Sequence, residues 1–159
     1  MSANETTLAT AGIRETGPAA DVMAFRSNIF EMTAVAERAV LRPKETGRWP
    51  HPLRAALAAR IAALNGFGDL AVRYASEAGG FAELANPARN GAAEGLGPVL
   101  AFMDKVAVET RNVVATDISA LQDAGVADAD IVRLSELNAF LAYKIRVVAG
   151  LRLMTEGSP

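Results

Sequence analysis

Few side chains in this sequence can do chemistry, and those few are widely spaced. There is no cysteine and a single histidine, His51. Thiol catalysis, disulfides and cysteine-ligated metals are therefore excluded, and imidazole chemistry rests on one position. His51 stands in the run Trp49-Pro50-His51-Pro52, where it can line a pocket or act as a base, or pack or face solvent without a catalytic role. Glu136, Tyr143 and Arg146 fall towards one side of the last helical stretch. An acid, a phenol and a guanidinium so placed can orient an anionic or polar ligand in an interface cavity, or form an internal or intersubunit ion pair beside a hydrogen-bonded tyrosine. Asn65, ahead of Gly66, is first a turn signal and only secondarily an amide for a ligand. Gly91, Gly95 and Gly97 follow no strand and lead to no Lys-Ser or Lys-Thr, so a phosphate cradle is not expected there.

These groups must be positioned by helices. Alanine supplies 33 of the 159 residues, and β-branched and aromatic residues are too scattered for alternating strands, so the fold class is all-α. Residues 1 to 18 end at Gly17-Pro18 without periodicity and read as a flexible arm, leaving 19–156 as a single helical domain. From Ala20 to about Leu41 the apolar spacing predicts a short helix and then a second one capped near Ser27 or Asn28. Three prolines, Gly47 and Trp49 make Arg42 to Pro52 a loop. A third helix is expected from about Pro52 to a stop at Asn65-Gly66, and a fourth from Asp69, acting as its cap, towards Ala78. The Gly-rich stretch to Gly97 reads as irregular, with a brief turn around Phe81 to Leu84.

Helices from Pro98 to about Thr110 and from Thr116 or Asp117 to Ala124 complete the middle of the chain, the second ending at Gly125. The last helix runs from Asp128 to about Met154, roughly 40 Å. Ile131, Leu134, Leu141, Ile145 and Val148 form one apolar stripe on it, while Val132, Ala139, Tyr143 and Val147 lie on a different side. Two faces of one helix thus want burial, with Arg133 and Lys144 on a narrower side expected to stay wet. A compact bundle with a long C-terminal helix shared between core and subunit interface follows.

The run Asn65-Gly66-Phe67-Gly68-Asp69-Leu70-Ala71-Val72-Arg73-Tyr74, followed by Gly125 to Ile131 and by Ala139-Phe140 through Gly150-Leu151-Arg152, resembles the carboxymuconolactone decarboxylase and alkylhydroperoxidase D-like superfamily, and its small bacterial members in particular. The resemblance spans most of residues 20 to 154. It implies a multi-helix domain that assembles through its helices. Peroxidase members place Cys-x-x-Cys-x-x-x-His at the entry to the fourth helix, and the matching positions are Phe67, Leu70 and Tyr74. Neither apolar residue can attack a peroxide, and a phenol with a pKa near ~10 cannot replace the histidine as base at neutral pH. A thiol peroxidase is excluded.

Two alternatives stand beside a non-redox homo-oligomer that binds a small molecule at the junction of Asn65, Phe67, Leu70 and Tyr74 or fills it with side chains. One is a cofactor-free decarboxylase or lyase using His51 or Glu136. The other is an adaptor binding a partner protein through the arm and last helix. No cofactor or metal is expected. The formal net charge of -2, with 16 basic residues interleaved with 18 acidic ones, gives no footprint for nucleic acid. No signal segment or membrane span is expected, and a cytoplasmic location follows by default. The expected partner is a second copy, as a dimer or a trimeric assembly.

Overall fold

A computed structural model of the chain describes Gly12 and residues 16–156. Every regular element among them is helical. In chain order they are α1 (Pro18–Phe25), α2 (Ser27–Leu41), α3 (His51–Leu64), α4 (Gly68–Ala75), a 3-10 segment (Gly79–Ala85), α5 (Gly97–Val108), a 3-10 turn (Thr110–Asn112), α6 (Ala115–Asp123) and α7 (Asp128–Glu156). The fold class is all-α, with the long C-terminal helix that the periodicity predicts. The predicted arm lies almost wholly outside the described residues, although Pro18 itself opens α1. None of the described helices is long and apolar enough to cross a membrane.

Two helix ends show how local sequence sets the path. After α3, Gly66 takes φ 78°. Its N–H donates to Ala63 and that of Phe67 to Ala62, the paired bonds of a left-handed stop that only glycine enters without steric cost. Gly125 and Val126 repeat the arrangement on Gln122 and Leu121 after α6. The tight first stop leaves no room for the cap expected from Asp69. The Phe67 carbonyl already accepts the first α4 bond, from Ala71, and Asp69 sits inside the first turn.

The centre of the fold is α3, in which every residue from Leu53 to Ala62 is buried. Five of these ten are alanines, which keeps the helix thin enough for neighbours to approach on every side. It packs against α2, α4, the first 3-10 segment, α5 and α7. The same stretch carries two buried arginines, and each holds an irregular segment. Arg54 donates to the carbonyls of Val40, Thr46 and Trp49 at 2.8–2.9 Å. Arg60 donates to those of Leu84, Asn86 and Pro87 and forms a bidentate pair with Asp104 at 2.5 and 2.7 Å. The loop before α3 is also pinned to the start of α7, where Trp49 Nε1 reaches the Asp130 carbonyl at 2.9 Å and Arg48 reaches the Gly125 carbonyl at 2.9 Å.

Both faces of α7 are visible in the single chain. Ile131, Leu134, Leu141, Ile145 and Val148 are buried, whereas Val132 is 55% and Tyr143 40% exposed; Val147, expected on the same uncovered side, is instead half-buried against Met23, Phe30, Val148 and Leu151. The expectation that Lys144 stays wet is overturned, because it is fully buried. Its position on the wheel falls beside Leu141, Ile145 and Val148, and a carboxylate on α2 meets it there, which makes burial tolerable.

Candidate functional site

The buried apolar residues form two clusters rather than one. The larger joins α3, α4, α5, α6 and most of α7, and the smaller consists of Met23, Phe30, Val148 and Leu151. Between them, on the core faces of α2 and α7, stand Thr33, Glu37 and Lys144, all buried. Glu37 is the hub of this layer. Its Oε1 accepts a 2.6 Å bond from the Tyr74 hydroxyl and a 3.3 Å bond from Arg73 Nη2, while Oε2 faces Lys144 Nζ at 3.3 Å. Three helices, α2, α4 and α7, are thereby joined through one carboxylate.

The electrostatics define what the layer can do. Burial, reinforced by the neighbouring Glu37 carboxylate, pushes the Tyr74 phenol far above its ordinary value. It is a hydrogen-bond donor, not a base. Burial pulls the Lys144 ammonium below its ordinary value, and Glu37 opposes that pull. Arg73 stacks over the Tyr74 ring, 5.3 Å from its centroid, and its Nη1 is a buried nitrogen without a hydrogen-bond partner among the described residues. The layer holds protons and positive charge, and contains no nucleophile suited to peroxide.

Above the small cluster, Val22, Arg26, Ile29, Phe30, Tyr143 and Val147 line an open groove of about 280 Å³. Thr33 donates to the Ile29 carbonyl at 2.8 Å, so the 2.8 Å contact between Thr33 and Tyr143 hydroxyls is donated by tyrosine. A second apolar concavity, about 460 Å³, lies on the outer side of α2 at Asn28, Glu31, Met32, Val35 and Ala36. A smaller pocket of about 140 Å³, more polar, includes Asn65, Asn138 and Arg146.

The residues singled out from sequence are distributed among these features. Tyr74 belongs to the polar layer and Leu70 to the main core, fully buried. Phe67 is half-buried, packs against both clusters and carries Arg152 over its ring at 5.5 Å. The Asn65 amide caps α3 by donating to Ile61 at 2.9 Å. His51 opens α3, with Nε2 2.9 Å from the Pro43 carbonyl. Glu136 and Arg146 are exposed on α7, as is Tyr143 at the groove. No hydrogen bond or ion pair joins His51 to Glu136 among the described residues.

Sequence reasoning passed over Glu37 and Arg73 as site residues and placed Lys144 in water. A signal existed for two of them. Glu37 falls on the same face as Phe30, Thr33, Ala34 and Leu41, and Lys144 among apolar neighbours on α7. A charge at a core-facing register on each of two helices calls for a buried pair. Comparison with family models, with curated proteins and with solved structures gives no match to this chain.

Proposed function

We propose that the chain works as a non-redox, self-assembling helical domain of the alkylhydroperoxidase D-like kind, in which the positions of the peroxidase thiols have become core packing. The observation that carries the reading is the uncovered face of α7. Val132, Ala139 and Tyr143 are exposed on the side opposite the buried stripe, and apolar surface of this extent on an ordered helix calls for a partner. Burying it contributes roughly 25 cal/mol per Å². Met32 and Val35 on α2, 66% and 57% exposed, form a second uncovered face, and two separate faces are what an assembly larger than a dimer requires. Leu70 and Tyr74 support the non-redox half of the reading, since one fills the core and the other is a held proton donor.

Sedimentation velocity at micromolar concentration tests the assembly. A dimer or larger closed species is expected, and a monomer overturns the reading. Tyr143→Glu should dissociate the assembly, because an unpaired charge at a desolvated contact costs more than the contact it replaces. Alkyl hydroperoxide with dithiol reductant should be consumed no faster than in buffer.

A further inference from the structure

We infer that the partner on α7 is the same helix of a second copy, docked antiparallel about a two-fold axis at the level of Leu141. The inference rests on the self-assembly proposed above and adds the register. The uncovered residues of α7 recur at alternating intervals of three and four, from Ala129 to Leu153, on the side of the helix opposite Leu141. Such spacing keeps one stripe facing a partner helix over about 36 Å at 1.5 Å per residue. In an antiparallel pair centred on Leu141, Ala139 meets Tyr143 of the other copy and Val132 meets its Gly150. Ala129 then meets Leu153. Each of these three apolar layers puts a large side chain against a small one, so they have similar thickness and the helices can approach evenly there.

The charges select this register. Glu136 and Arg146 are exposed, and neither forms an ion pair within the chain among the described residues. Arg146 donates only a local bond, to the Ala142 carbonyl at 2.9 Å. Centred on Leu141, Glu136 of each copy meets Arg146 of the other, and the two-fold makes the pair twice. Sliding one copy by a heptad sets Glu136 against Ala139 in one direction and against Leu153 in the other, leaving both charges unmatched. A complementary charge pair within the contact stripe specifies register and orientation more than it adds affinity.

Charge reversal and cross-linking of the full chain test the register. E136R and R146E alone should each weaken assembly by roughly a hundredfold, since like charges then oppose each other twice. The double variant E136R/R146E should return to within about tenfold of wild type, because the pairs are re-formed with swapped signs. Both residues face solvent in the single chain, and unchanged helical circular dichroism separates dissociation from unfolding. The absence of native cysteine permits clean cross-linking. Copies carrying A139C mixed with copies carrying Y143C should form disulfide-linked pairs, whereas A139C mixed with G150C, which a heptad slip would join, should not. Assembly that ignores the reversals, or that links 139 to 150, overturns the register and leaves self-assembly standing. A monomeric wild type overturns both.

Discussion

Two buried polar regions of this molecule have been built to opposite specifications. At Arg54 and Arg60, every guanidinium nitrogen is bonded at 2.5–3.1 Å, to carbonyls of the last turn of α2, the loops and the first 3-10 segment and, for Arg60, to the Asp104 carboxylate. At Glu37 the tyrosine bond is short, both cations stand at 3.3 Å, and Arg73 Nη1 has no hydrogen-bond partner among the described residues. The difference follows from what each must hold. A loop has free carbonyls that need donors, and the rigid fork of arginine supplies several from one side chain. Helices α2, α4 and α7 have already satisfied their own backbones, so the layer between them has only side chains to match. The arginine clamps fix chain that would otherwise wander, whereas the loose layer sets how three finished helices sit together.

This contrast can be broken by mutation. The largest effect is expected for Arg60→Leu, which strands three carbonyls and the Asp104 carboxylate and should cost about 3 to 5 kcal/mol in urea unfolding. Lys144→Met should cost less, about 1 to 3 kcal/mol, because the Glu37 carboxylate it leaves behind keeps its bonds from Tyr74 and Arg73. Equal losses in the two variants would mean that the layer is as tightly built as the clamp. Alkaline stability gives a finer reading. The Tyr74 phenol is raised in the folded state, so above about pH 10 the unfolded chain releases a proton that the fold retains, and stability falls as pH rises. Tyr74→Phe should flatten that fall. Lys144, lowered on folding, has the opposite sign, raising stability with pH between its folded value and its unfolded value near ~10.5. Its replacement by Met should remove that rise. The smallest effect belongs to the surface. Asp117 lies below its usual range, chiefly through its bond from Lys105 and then that from the Val114 N–H. Its contribution is present above the ordinary carboxylate pKa and lost as pH falls through the folded value, so Asp117→Asn should differ from wild type near neutral pH and converge with it in acid.

The helices were legible because their punctuation is local. Gly66 and Gly125 stop α3 and α6 where the sequence placed them, and the two faces of α7 are set by a period that needs no tertiary knowledge. The beginning of α4 was misread, since Asp69 has the chemistry of a cap and only the preceding turn decides which carbonyl starts the ladder. The polar layer was illegible for a different reason. Glu37 and Lys144 lie 107 positions apart in sequence, and the typing of Lys144 as a wet residue ignored that a partner on another helix can make burial tolerable. His51 drew notice for its uniqueness, yet its ring faces a carbonyl of its own loop. Rarity of a residue type is not geometry.

The burial of α3 on every side also governs how the molecule breathes. An amide in the middle of a helix with a wet face can meet water through a local fluctuation, but the stretch from Leu53 to Ala62 has neighbours in all directions and no edge from which to fray. Exchange with solvent deuterium at Ala58 therefore requires disassembly of the main core, and its rate reports the stability of the whole chain. Amides of α1 and the last turns of α7, joined through the small cluster beyond the Glu37 layer, can open while that core stays closed, and should exchange orders of magnitude sooner.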